Sequence, residues 1–215
     1  MGYELIIFDN DGVLVDSEPI ANRVLAAYLT ELGHPTTYED SLRDYMGGSV
    51  QRVHELTGER TGRKLPEEFN GTLHERTVSA FRRELEPVAG VADVLRTLAA
   101  EDVPYCLASS GTHERIRAAL HTTGLSGHFD DTRIFSSQDV DHGKPAPDLF
   151  LHAARAMGTS PERCAVVEDS PLGVQAARAA GMDVYGYAMM TPREQLAQAS
   201  ALFTDMGELL PLLAR

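Results

Sequence analysis

Two aspartates, Asp9 and Asp11, close the short apolar run Leu5-Ile6-Ile7-Phe8 and are followed at once by Gly12. Residues two apart in an extended segment project to the same side, so one carboxylate can attack while the other moves protons. Gly12 lets the chain turn tightly and come close to a ligand, and Asn10 presents a backbone amide to the same space. Three more polar clusters follow later apolar runs: Ser109-Ser110 before Gly111, Lys144 between Gly143 and Pro145, and Glu168-Asp169. The serine hydroxyls, with the amides leading through Gly111 into a helix, suit an oxyanion. Lys144 stands on a constrained loop, where its ammonium can serve a nucleophilic carboxylate or phosphate oxygens. The carboxylates of Asp9, Asp11, Glu168 and Asp169 repel one another in a shared crevice, and unless some are protonated they need a cation. An oxygen-only donor set favours a hard divalent ion such as magnesium.

A parallel sheet would bring these clusters together. Leu5–Phe8, Val103–Ala108, Arg133–Phe135, Cys164–Val167, Val184–Tyr187 and Ala201–Phe203 each read as a short buried strand. Helical patterns lie between them: Val91, Val94, Leu95 and Leu98 share one face, as do Phe150, Ala153, Ala154 and Met157 ahead of Gly158. Gly173, Ala176, Ala177 and Ala180 make a stripe of small residues suited to close packing on a sheet. The alternation predicts an α/β fold, a doubly wound Rossmann-like parallel sheet whose ligands sit outside the carboxyl ends of the strands.

Between Ser17 and about Glu84 the pattern is helical without a convincing strand. Ser17 is placed to cap a first helix and Ser49 a second, and a third is expected from Pro66 through Phe81. The expected organisation is a core of residues 1–16 and 86–215 with a helical cap, 17–85, inserted after the first strand. Asp16-Ser17 and Pro87-Val88-Ala89-Gly90 would be its hinges. Glu18 opens the insertion beside one hinge, placed either to touch substrate or to cap the helix.

The formal net charge of −13, from 19 basic against 32 acidic side chains, excludes sequence-independent binding to a nucleic-acid backbone. A phosphorylated partner must then be a small molecule held by a local site or a metal. No apolar run reaches the roughly 18 residues of a membrane span and no secretory signal pattern opens the chain, so a cytoplasmic, membrane-free protein is expected. A monomer is expected, although no sequence feature decides the oligomeric state. Cys106 and Cys164 lack the spacing of a zinc or redox pair and read as buried thiols.

The clusters also carry a family resemblance. Phe8-Asp9-Asn10-Asp11-Gly12-Val13-Leu14-Val15-Asp16-Ser17-Glu18 resembles the first motif of the haloacid dehalogenase-like phosphohydrolases. Ala108-Ser109-Ser110 resembles the second, Gly143-Lys144-Pro145-Ala146-Pro147-Asp148 the third, and Val167-Glu168-Asp169-Ser170-Pro171-Leu172-Gly173 the fourth. The resemblance implies a phosphatase of the branch that holds the β-phosphoglucomutases and sugar phosphatases. By it, Asp9 is the nucleophile, Asp11 the acid and base, and Ser109 and Lys144 hold the phosphoryl group. Asn10, Glu18, Ser110 and Gly111 would line the substrate.

Magnesium, by the same resemblance, is held by Asp9, the backbone carbonyl of Asp11 and Asp169, with Glu168 a direct or outer ligand. The second aspartate argues against dehalogenation, which needs no general acid. A mutase is disfavoured because its cap histidine would align with Ala21 and its arginine for a second phosphate would fall near Val50, Arg52 lying close but out of register. A silent module that binds a phosphorylated metabolite is the alternative outside enzymes. If the strand order follows the family's, Cys106 and Cys164 flank the first strand at about 9–10 Å, beyond the roughly 7 Å reach of a disulfide.

Overall fold

The computed structural model describes residues 2–214. In chain order it runs β1 (Leu5–Phe8), α1 (Glu18–Glu31), α2 (Tyr38–Tyr45), α3 (Val50–Thr61), α4 (Phe69–Glu84), α5 (Val91–Ala100), β2 (Tyr105–Ser109) and α6 (His113–Thr122). It continues with β3 (Ile134–Ser136), α7 (Asp148–Ala156), β4 (Cys164–Glu168), α8 (Pro171–Ala179), β5 (Asp183–Tyr187), β6 (Ala201–Phe203) and α9 (Leu209–Leu213). The chain divides into two compact units, one formed by the segment up to Asp16 together with that from Glu86 on, the other by Ser17–Leu85.

The first unit is built on a six-stranded sheet of order β3-β2-β1-β4-β5-β6, all pairings parallel. Parallel strands end at a common edge, so Asp9, Ser109 and Glu168 arrive there together. Strands β1, β2 and β4 are buried on both faces, which is why they read as continuous apolar runs rather than alternating ones. Ala176 and Ala177 of α8 are fully buried, with Leu149, Phe150 and Ala153 of α7 in the same core. Each large side chain withdrawn there stabilises the fold by about 1.5–3 kcal/mol.

The second unit has its own core, in which Leu25, Tyr28 and Leu29 of α1 meet Tyr45, Val53, Leu65 and Phe69. The Tyr28 and Phe69 rings stack with centroids 5.2 Å apart.

Some boundaries differ from the sequence reading. Strand β2 starts at Tyr105 and reaches Ser109, which pairs with Ser136 at the end of β3. Ser17 does not cap α1 with its side chain: its backbone is already helical, and its carbonyl accepts from the Ala21 amide. Helix α4 starts at Phe69, after a turn in which Pro66 O accepts from the Phe69 amide. Ser49 does cap α3, accepting from the Arg52 amide. Helix α2 escaped the periodicity because it buries only Ser41 and Tyr45, but Thr37 and Asp40 form a capping box at its start.

Candidate active site

The Asp9 carboxylate lies just beyond β1, 7% exposed, with its amide bonded to Val167 O at 3.0 Å. Lys144 reaches it from the loop before α7, its Nζ donating to Asp9 Oδ1 at 2.6 Å, to Glu168 Oε1 at 2.7 Å and to Ala108 O at 3.1 Å. These bonds use all three donors of the ammonium. The Phe150 ring lies under it, with its centroid 4.8 Å from Nζ. Lys64 and Lys144 are the only lysines in the sequence, the other 17 of its 19 lysines and arginines being arginines. A compact ammonium with three donors fits between three oxygens where a planar guanidinium would not.

Glu168 is wholly buried. While Oε1 meets Lys144, Oε2 accepts from the amide and the hydroxyl of Ser170 at 2.7 and 2.9 Å. Ser170 also caps α8 by accepting from the Gly173 amide. Asp169 is partly buried and packs against the bare backbone of Gly12, whose φ is +78°. Leu14 and Val15 donate to Asn10 O at 2.9 and 3.0 Å, folding Asn10–Val15 into a tight loop. The Asn10 side chain, fully buried, donates to Asp11 Oδ2 at 3.3 Å, so that residue contributes more than its amide.

The second loop has a different use of its groups from the one expected. The Gly111 amide is engaged by Ser109 Oγ at 3.0 Å, and the loop is fastened to the end of β3. Ser136 Oγ donates to Gly111 O at 2.6 Å and Ser137 Oγ to Ser110 O at 2.8 Å. Ser109 is buried and Ser110 exposed. Glu18 belongs to the other unit, where it accepts from Asn22 Nδ2 at 3.0 Å.

Sequence reasoning missed Arg115, whose Nη2 donates to Asp11 Oδ1 at 2.7 Å. Its signal was available: a cation in the first turn of a helix opposes the helix dipole and calls for a carboxylate partner. Ser170, Ser136, Ser137 and Gly173 were also missed as supports of the site.

The charges match a cation. One oxygen each of Asp9, Glu168 and Asp169 lies within 4.8 Å of the others, against the single ammonium of Lys144. Burial lifts the Asp9 carboxyl to about 7; Lys144 pulls against this, and the charges of Glu168 and Asp11 add to it. A hard divalent ion taking oxygen ligands fits this donor set and its unbalanced charge.

A parallel α/β sheet with carboxylates, an ammonium and serine hydroxyls at one edge defines a class of phosphoryl-transfer hydrolases. The sequence matches the family model of the haloacid dehalogenase-like hydrolases over residues 3–181. The chain belongs to that family, and it is an enzyme of the phosphoric monoester hydrolase class. Among its relatives, the 6-phosphogluconate phosphatase of Escherichia coli is 30% identical over 85% of this chain and 81% of its own length. The fructose-1-phosphate phosphatase of the same organism is 32% identical over 84% of this chain and 94% of its own. A solved haloacid dehalogenase-like protein of unknown function from Agrobacterium tumefaciens superposes with a TM-score of 0.90 at 33% identity, over 99% of this chain and 98% of that one.

Proposed function

We propose that the protein is a magnesium-dependent phosphatase that hydrolyses a small sugar or polyol phosphate through an aspartyl phosphate on Asp9. The observation that carries this reading is the buried triad of Asp9, Lys144 and Glu168 beside Asp169. The sugar-phosphate class rests on the two phosphatases named above.

In the first step an Asp9 oxygen attacks phosphorus in line, forming the Asp9–phosphorus bond as the bond to the substrate oxygen breaks. Asp11 gives its proton to that departing alcohol. In the second step Asp11, now a base, takes a proton from water, which attacks the same phosphorus and returns Asp9 as inorganic phosphate leaves. Lys144 fixes the direction of the Asp9 carboxylate, and Ser109 holds the phosphoryl group together with Lys144, whose ammonium turns a donor from Ala108 O, the longest of its three bonds, to a phosphoryl oxygen. Asn10, Ser110 and Gly111 line the substrate. When bound, magnesium neutralises charge on the phosphoryl oxygens, and Asp9, Asp169 and the Asp11 carbonyl would hold it. Both oxygens of Glu168 are already bonded, to Lys144 and to Ser170, which supports the reading of Glu168 as a support of Lys144 that would act on the metal as an outer partner.

The test is a panel of phosphorylated metabolites assayed for inorganic phosphate with magnesium present. Steady release that is abolished by EDTA and by Asp9→Asn is expected. Conversion to an isomeric sugar phosphate with little release would replace hydrolysis by a mutase. Tight binding of a phosphorylated metabolite without turnover of any ester would overturn catalysis altogether.

A further inference from the structure

We propose that Arg115 is a positioning residue for the acid/base carboxylate of Asp11, an assignment that rests on the role given to Asp11 above. Its Nη2 lies 2.7 Å from Asp11 Oδ1, across 104 residues of sequence. Helix α6 sets its origin: Thr112 caps the helix by accepting from the Arg115 amide at 3.2 Å, which fixes Arg115 in the first turn. The Arg115 Cδ lies 3.7 Å from where a β-carbon on Gly111 would stand, an ordinary contact distance, so the arginine stem passes beside the second loop. That loop is itself tied to β3 through Ser136 and Ser137. The guanidinium therefore reaches Asp11 from a braced support.

The two cations of the site divide the two aspartates between them. Lys144 and Asp9 are sealed, their side chains 4% and 10% exposed, whereas Arg115 and Asp11 are 30% and 23% exposed. A general acid must bring its proton within about 2.6–3.2 Å of the departing oxygen. A carboxylate turns about two side-chain bonds, and the charge-assisted bond from Arg115 to Oδ1, with the longer bond from Asn10 Nδ2 to Oδ2, restrains both. A first-turn arginine also forgoes the favourable dipole interaction that an acidic residue would have there, so the side chain is placed for its partner rather than for its helix.

Leaving-group dependence separates positioning from general structural support. Phenyl and p-nitrophenyl phosphate have nearly the same shape, but nitrophenolate departs readily without a proton and phenolate does not. Comparing kcat/KM for the two reports the step in which the ester bond breaks. Arg115→Met should lower kcat/KM for phenyl phosphate about tenfold or more and for p-nitrophenyl phosphate by less than about threefold, with Arg115→Lys recovering part of the loss. Equal losses on both esters, in either variant, would overturn the assignment; thermal melting of both variants reports whether the fold is kept. Asp11→Asn should show the same dependence more steeply. If it does not, the role of Asp11 is what fails.

Discussion

Gly12 leaves room for Asp169: a β-carbon on Gly12 would stand 2.6 Å from the Asp169 Cγ and closer still to Oδ2. The tight turn of the first loop thus also makes the space in which the last carboxylate of the site sits. Gly12→Ala asks alanine to adopt a φ of +78° and pushes Asp169 aside. The left-handed backbone alone costs about 1–2 kcal/mol. We expect the magnesium concentration for half-maximal activity to rise about tenfold or more, the loss of roughly one ligand contact. Titrating activity with magnesium checks this, and an unchanged requirement would disprove it.

Gly173 does the same for Glu168. A β-carbon there would lie 2.5 Å from Oε2 and closer to Oε1, and Glu168 is wholly buried with both oxygens bonded. Gly173→Ala therefore breaks a buried ion pair, a loss of about 3–5 kcal/mol, and should lower the melting temperature by about 10 °C. In a Glu168→Ala background the clash is absent and the same substitution should cost far less, a non-additivity that a double-mutant cycle measures directly.

In the second unit, Asp44 accepts from Arg43 Nε and Nη2 at 3.0 and 2.9 Å and from Arg60 Nη2 at 2.8 Å. The bonds from Arg43, then from Arg60, hold its carboxyl below the usual carboxylate range, burial acting against them. A depressed folded value means stability present above the unfolded carboxylate value, about 3.9, and lost as pH falls further through the folded one. Asp44→Asn should destabilise by about 1 kcal/mol at pH 7, since both arginines are solvent-exposed. The difference from the parent should shrink below about pH 4 in melts followed by circular dichroism.

Cys106 pairs opposite Ile7 on one side of β1, and Cys164 opposite Leu5 on the other. They are therefore two strand spacings apart, about 9–10 Å, and offset along the strands as well. Both are free and fully buried; burial pushes the Cys164 thiol up to about 11 and that of Cys106 higher. Thiolate is the reactive form, so raised values mean slow reaction near neutral pH. A colorimetric thiol assay should count two free thiols in denaturant without reductant and find both slow to react in the native protein.

The parts of the site at strand ends were legible because a buried strand stopped by a polar residue needs only local sequence to recognise. Asp9, Ser109 and Glu168 belong to this kind, and the sheet order brings them together without further specification. Arg115 was not legible as a partner of Asp11, because the pairing depends on helix α6 being aimed by its Thr112 cap at a loop from another strand. Gly173 was read as one of a stripe of small residues facing the sheet, and it is buried as that reading requires. Its second use, clearing space for Glu168, depends on a side-chain conformation that no periodicity reports. The capping box of α2 was present in Thr37 and Asp40, but the helix buries too little for an apolar stripe to announce it.

The two ends of the 17–85 segment are stitched together within the first unit. The Asp16 amide donates to Glu86 O at 2.9 Å, the Val88 amide to Leu14 O at 3.0 Å, and Val15 bridges Pro87 in antiparallel fashion. Everything between is thermodynamically a loop whose ends are already closed, and closure entropy grows only with the logarithm of loop length, about 0.6 kcal/mol per doubling. That junction is a graft point: the insertion can be lengthened or exchanged at small entropic cost while the strand ends that carry Asp9 and Glu168, and the loop that carries Lys144, keep their frame.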